Sequence, residues 1–155
     1  MPVIVVGADT ELGEAIVAAL LPEATEVRAF VSDVGAAEGL KSRGVKVALG
    51  DVSDGIRVGD AAHRTFCAIF LAEAATDDRE RSFADGAGEV VTAWADGLAG
   101  AGVTRVIWVG GEDLDPTPIR SAVPQVAEIA IGGRSVGDIV DEVVAAEGAE
   151  HISGV

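Results

Sequence analysis

Tyrosine is absent from this chain, and lysine occurs only twice, at Lys41 and Lys46. No phenol is therefore available as an acid or base, and no lysine lies beyond residue 46 to steady one. Cysteine occurs once, as Cys67 inside an apolar run. A single thiol excludes an intramolecular disulfide framework and fits a reducing compartment. No stretch approaches the roughly 18–20 apolar residues that a membrane helix needs, and no basic region precedes Asp9 and Glu11. The expectation is a cytoplasmic protein with no membrane partner. Cations are scarce, with 11 Lys and Arg against 26 Asp and Glu, a formal charge of −15. That balance disfavours nucleic acid and anionic membranes, which demand a cluster of cations to displace counterions. It leaves room for an anionic cofactor, because backbone N–H groups can hold phosphates without basic side chains.

What the chain has is β/α alternation. Val3-Ile4-Val5-Val6 is a short β-branched run of the kind that a fully buried parallel strand carries, and Gly7 ends it where the chain must turn. Leu12, Ile16, Val17 and Leu20 then recur at helical spacing, with Gly13 in the first turn where helix and strand approach closely. Pro22 marks the stop. Strands follow at Val27–Val31, Val45–Leu49, Thr65–Ala72, Val103–Val109 and Gln125–Ile131, with a helix over Gly35–Arg43 and a short helical stretch over Ile56–Arg64. Thr76–Arg81 opens what reads as the longest helix, with Phe83, Ala87, Val90, Val91, Trp94 and Leu98 on its apolar face. Ser135 is placed to N-cap a last helix bearing Val136, Ile139, Val140, Val143 and Val144.

Six strands alternating with helices predict an α/β fold, a doubly wound parallel sheet in the order 3-2-1-4-5-6 with right-handed crossovers. The 155 residues read as one domain, with a frayed tail from about residue 147 and no separate substrate domain. Ligand is expected outside the carboxyl ends of the strands, near the switch between the first and fourth. The residues there are Gly7–Gly13, Ser32-Asp33, Asp51-Val52, Ala72-Glu73-Ala74 and Val109-Gly110-Gly111. Roughly twenty residues separate Gly13 from Asp33, the offset of a ribose-binding acid. Asp33 is equally placed to cap the following helix.

The run Val5-Val6-Gly7-Ala8-Asp9-Thr10-Glu11-Leu12-Gly13, with Val27–Asp33, Gly44-Val45 and Gly50-Asp51-Val52, resembles the atypical short-chain dehydrogenase/reductases, the NmrA-like, NAD(P)H-binding group. The resemblance spans roughly residues 1 to 111 and is strongest in the first 54. It implies a Rossmann fold and an NAD(P) cofactor. Gly7, Ala8, Thr10, Glu11, Leu12 and Gly13 would border the pyrophosphate, Ser32 and Asp33 the adenosine ribose, and Asp51 and Val52 the adenine. Thr10 departs from that pattern, standing where the family has its middle glycine and a Cβ crowds the pyrophosphate. Ser32 stands where the family places an arginine against the 2′-phosphate of NADP. NAD is therefore favoured over NADP, with Arg28 and Arg43 the nearby cations able to reverse the preference.

The tyrosine-lysine pair of the active short-chain enzymes has no counterpart here, and Gly110-Gly111 replaces the serine or threonine expected after the fifth strand. Tyrosine-dependent carbonyl reduction is excluded by composition. Cys67 reads as a core residue, His63 as a helix C-terminal cap, and Glu112, Asp113 and Asp115 as a solvated loop rather than a metal site. Three functions survive: a dinucleotide-binding protein with a sensing or regulatory role; a small NAD(P)-dependent oxidoreductase or epimerase-like enzyme; and a degenerate Rossmann interaction module without cofactor. A homodimer is expected, covering apolar surface near the ends of the fourth to sixth strands, the alternative being that residues 112 to 131 fold over that opening; Trp94 and Trp108 read as packing residues, with Trp108 also a candidate to face a neighbouring subunit.

Overall fold

A computed structural model of the chain describes residues 1–76 and 82–152. The elements run β1 (Pro2–Val6), α1 (Glu11–Leu20), β2 (Glu26–Val31), α2 (Val34–Ser42), β3 (Lys46–Leu49), α3 (Gly55–Ala62) and β4 (Cys67–Leu71). They continue with α4 (Ala72–Thr76), α5 (Ala87–Leu98), β5 (Arg105–Gly110), α6 (Thr117–Arg120), β6 (Gln125–Ala130) and α7 (Val136–Gly148). All six strands are parallel and lie in the expected order, β3-β2-β1-β4-β5-β6. The chain leaves β3 at one edge and returns to β4 beside β1, so a crevice opens between the C-terminal ends of β1 and β4.

Both faces of the sheet are covered, which is why β1 is apolar at every position from Val3 to Val6. Val3 and Val5 pack with Ile16 and Val17 of α1, Leu40 of α2 and Ile139 of α7. Ile4 and Val6 pack on the other face with Val58 of α3, Val90 and Trp94 of α5 and Ile119 of α6. Alternate side chains of one strand thus feed two cores. On the second face three aromatic rings lie together: Phe70 sits 4.8 Å from Trp94, and Trp94 meets Trp108 edge-on at 6.2 Å. Trp108 is buried in its own subunit's core rather than turned outward to another.

The helix expected from residue 76 differs from the observed one. Helix α5 begins only at Ala87, after an extended Gly86, and Glu89 reaches back to accept the Asp85 N–H. Phe83 therefore lies outside it and is 67% exposed, while residues 77–81 of that expectation fall outside the described residues. With 12 residues α5 is also shorter than the 13 of α7. Ser135 caps α7 as expected, its Oγ accepting the Asp138 N–H at 3.1 Å. At its other end α7 runs on to Gly148, past the expected start of a frayed tail. The reason is Arg105, fully buried at the start of β5. Its Nη1 donates to the carbonyls of Ala146, Glu147 and Ala149 at 2.9, 3.0 and 2.6 Å, and Nε and Nη2 both donate to Gln125 Oε1. The otherwise orphaned last carbonyls of the helix are so satisfied by a cation, the sign that the helix dipole favours there. Among the described residues, no helix is long and apolar enough to cross a membrane.

Candidate functional site

The turn after β1 is held by contacts that need its glycines. Gly7 has φ +97, and a Cβ on it would lie 2.9 Å from Ala74 Cβ. A Cβ on Gly13 would lie 2.2 Å from the Gly7 carbonyl oxygen and 2.8 Å from Ala8 Cα. Both glycines are thus required by packing alone, whatever binds above them. Ala8 is fully buried beneath the turn. Thr10 has ordinary extended backbone angles, φ −91 and ψ 160, so its Cβ introduces no strain. Its hydroxyl folds back into the turn, donating to the Gly7 carbonyl at 2.9 Å and accepting the Gly13 N–H at 3.0 Å. The residue that stands in place of the middle glycine is the N-cap of α1.

That cap consumes one first-turn donor and leaves two. No hydrogen bond among the described residues uses the N–H of Glu11 or Leu12. These groups project from the positive end of a ten-residue helix beside the β1–β4 crevice, the arrangement that holds a phosphate. A pyrophosphate fits them. The opposing influence is the carboxylates of Glu11 and Glu14, both exposed in the same turn with no basic residue.

At the end of β2, Asp9 Oδ2 accepts both the N–H and the hydroxyl of Ser32, at 3.1 and 3.2 Å. Asp33 Oδ2 accepts the Ala36 N–H at 2.8 Å and so caps α2. Two carboxylates therefore flank the position expected for the adenosine ribose. Neither expected cation reaches it. Arg28, near the start of β2, pairs with Glu26 at 2.6 Å and donates to the carbonyls of Ala61 and His63. Arg43 follows α2, which runs back toward the N-terminal end of β3, so it sits at the opposite edge of the sheet. The cation that is present at this edge is Arg57, in the first turn of α3, whose Nε and Nη2 donate to the Leu49 carbonyl at 3.1 and 2.6 Å. Its signal was the Asp54 N-cap three residues before it, which places Arg57 beside the end of β3.

Asp51 organises the next stretch. Its Oδ1 accepts the N–H and hydroxyl of Ser53 at 2.9 and 2.6 Å, and its Oδ2 accepts the Ser82 N–H at 2.8 Å. Burial pulls its pKa upward, yet the hydrogen bonds from Ser53 and Ser82 outweigh that and hold it below the ordinary carboxylate value. The Val52 carbonyl accepts the indole N–H of Trp94 at 2.8 Å, tying α5 to the end of β3. Ala72, nearly buried, opens α4 directly after β4. Its Cβ would stand 2.5 Å from a Cβ on Gly110, so β5 must end in glycine to close against it.

Beyond Gly110 lies a cavity of about 720 Å³, where β5 and β6 end. Its lining includes Trp108, Leu114, Pro116 and Ile129, together with Glu112 and Asp115. Arg120 and Glu128, also in the lining, form a two-pronged ion pair at 2.7 and 2.7 Å. Asp115 accepts the N–H and hydroxyl of Thr117. Among the described residues, no group of three or more His, Cys, Asp or Glu side chains could hold a metal ion. Cys67 is fully buried, and burial pushes its thiol pKa far up, which makes it inert.

No protein-family model matches this chain, and a search of curated proteins returned no match. Solved structures do match. The triphenylmethane reductase of Citrobacter sp. superimposes with a TM-score of 0.66 at 19% identity over 83% of this chain and 48% of its own. A second structure of that reductase is complexed with NADP(H). ChuY, an anaerobilin reductase from Escherichia coli O157:H7, gives a TM-score of 0.73 at 16% identity and covers 97% of this chain and 92% of its own. The yeast methylglyoxal/isovaleraldehyde reductase Gre2, complexed with NADPH, gives 0.57 at 19% identity over 72% and 37%. This chain thus spans about half the length of the triphenylmethane reductase and nearly all of ChuY. These neighbours are reductases, and at such identities the likeness establishes one thing about this chain: it has their parallel, Rossmann-like α/β fold.

Proposed function

We propose that this chain, as one domain over 1–155, binds a nicotinamide dinucleotide along the C-terminal ends of β1 to β4 and serves a sensing or regulatory role without tyrosine-lysine catalysis. The observation that carries the reading is the inward fold of Thr10, which leaves the N–H groups of Glu11 and Leu12 open beside the β1–β4 crevice. Gly7, Ala8 and Gly13 shape the floor for the pyrophosphate, Ser32 and Asp33 border the ribose, Asp51 and Val52 the adenine, and Ala72 the way toward the nicotinamide. When bound, the dinucleotide supplies hydride-transfer chemistry. The chain's own part is to bind and orient it.

NAD(H) is the favoured form. Asp33 borders the ribose position, Arg28 and Arg43 lie away from it, and Arg57 is engaged by the Leu49 carbonyl, so a 2′-phosphate meets a carboxylate and an already occupied guanidinium; about tenfold weaker binding of NADPH, about 1.4 kcal/mol, is expected. The second reading, a small oxidoreductase, draws support from the cavity next to Gly110. Dimerisation belongs to the same proposal, over a different face from the expected ends of the fourth to sixth strands: Ile56 and Phe83 are 78% and 67% exposed around one groove beside α3 and α5. A cytoplasmic setting accords with the lone buried thiol of Cys67.

NADH and NADPH titrated separately into the purified protein, with nicotinamide fluorescence as the readout, test the binding. A saturable response to NADH, without turnover of quinone, flavin or aldehyde, is the expected result. Turnover would favour the oxidoreductase reading. Silence with both at millimolar concentration would leave the degenerate interaction module.

A further inference from the structure

The carboxylate of Asp51 has no lone pair to spare. Ser53 donates its N–H and its hydroxyl to Oδ1 at 2.9 and 2.6 Å, the Ser82 N–H reaches Oδ2 at 2.8 Å, and the Ser82 hydroxyl bonds the same carboxylate. Four donors match the roughly four lone-pair sites that an ionised carboxyl offers. The Ser53 hydroxyl oxygen also accepts the N–H of Phe83 at 3.1 Å. Asp51 and Ser53 thus form a hook that holds two successive backbone amides of the segment entering α5. No other hydrogen bond among the described residues holds Ser82 or Phe83.

The two sides of this clasp are not held equally. Ser53 is 1% exposed, the Val52 carbonyl is tied to the Trp94 indole, and Asp54 caps α3, so the hook is anchored in the core. Phe83 is exposed, and with Ile56 it lines the groove that Ser53 also borders. A donor that competes for Asp51 therefore displaces the Ser82 amide and leaves the hook in place. The adenine of a dinucleotide carries such a donor, because its amino group needs an acceptor and Asp51 borders the adenine in the function proposed above.

We propose that the amino group of adenine and the Ser82 amide compete for Asp51, so that a bound dinucleotide unfastens Ser82 and Phe83 and changes the groove beside α3 and α5. Resting on the dinucleotide reading, this competition gives the sensing role a physical output: occupancy of the crevice is reported on the face where Phe83 and Ile56 are exposed. Such coupling is reciprocal, and whatever loosens the clasp also favours the dinucleotide.

Amide hydrogen exchange at Ser82 and Phe83 in the full chain reads the clasp, while the Glu11 and Leu12 signals report dinucleotide binding in the same samples. Saturating NADH is expected to speed exchange at both amides about tenfold, the worth of one hydrogen bond to a charged group. Reduced nicotinamide hypoxanthine dinucleotide, which has an oxygen in place of the adenine amino group, is expected to bind and leave both amides protected. Ser53→Ala separates coupling from structural support. It frees both amides without ligand and tightens NADH binding by up to about tenfold, since the coupling is reciprocal, whereas a purely structural role would weaken binding. If Ser53→Ala does not fold, Ser82→Pro, at an exposed position, removes the amide itself and carries the same expectation for Phe83 and for NADH. NADH binding that leaves Ser82 and Phe83 protected, equal release by the hypoxanthine form, or weaker NADH binding by the variant would each overturn the competition and leave the dinucleotide reading standing. No binding of NADH at millimolar concentration would overturn both.

Discussion

The C-terminal edge of the sheet has two differently built halves. Where β1, β2 and β3 end, the polar side chains are spent on the chain itself. Thr10 caps α1, Asp33 caps α2, Asp9 holds Ser32, and Asp51 gathers Ser53 and Ser82. Among the donors left over there are the backbone N–H groups of Glu11 and Leu12. Where β5 and β6 end, the arrangement is reversed: the unmatched donor is a side chain, the indole of Trp108, above a cavity of mixed lining. Backbone donors recognise a phosphate almost regardless of side-chain identity, which is how a turn can lose its middle glycine and keep its geometry. A side-chain donor in such a cavity discriminates by the ligand's chemistry instead.

Substitutions can break or sharpen this contrast. The largest effect is expected from Gly13→Ala, whose Cβ meets the Gly7 carbonyl at 2.2 Å. A loss of about 3 kcal/mol in unfolding free energy by urea titration is predicted, because backbone must move. Next come the two tryptophans. Both are buried and lose similar ring area on conversion to Phe, yet only Trp94→Phe orphans an acceptor, the Val52 carbonyl. The cost of Trp94→Phe should exceed that of Trp108→Phe by about 1 kcal/mol, and equal costs would show that the Trp108 N–H is not unmatched. Thr10→Ala removes the cap of α1 and should cost about 1 kcal/mol, whereas Thr10→Gly should cost only a few tenths. The smallest effect concerns pH. Asp51 is held below its ordinary value of 3.8, so its contribution to stability is complete above that value and fades as pH falls through the lowered folded-state pKa. Asp51→Asn should therefore flatten the acid limb of the stability profile, measured by unfolding at stepped pH.

Much of the sheet was legible in the sequence, because its determinants are local. Four β-branched residues, a glycine and a helical repeat after it define β1 and α1, and the same signals repeated along the chain lead to the observed strand order. Capping was legible for the same reason: Ser135 and Asp33 bond three residues ahead. The start of α5 was misread because apolar spacing alone cannot show where a helix begins, and Phe83 shares the period without sharing the helix. The grip of Arg105 on Ala146, Glu147 and Ala149 spans more than 40 residues and exists only once β5 and α7 have packed. In the candidate site, Gly7 and Gly13 were legible as turn and close-approach residues, and packing alone demands them, whereas Arg28 was placed near the ribose before its position along β2 was known. Trp108 was read as a packing residue that could face another subunit; its ring lies in the core of its own chain, and its nitrogen borders the cavity.

The central claim is that the first turn of α1 offers two open donors to a phosphate. The most direct measurement is the backbone amide spectrum of the ¹⁵N-labelled chain titrated with NADH. The Glu11 and Leu12 signals are expected to move together and saturably, with the Gly13 signal, already matched by Thr10, moving less. Saturable binding that leaves residues 7–13 unmoved, or no binding at millimolar NADH, would contradict it.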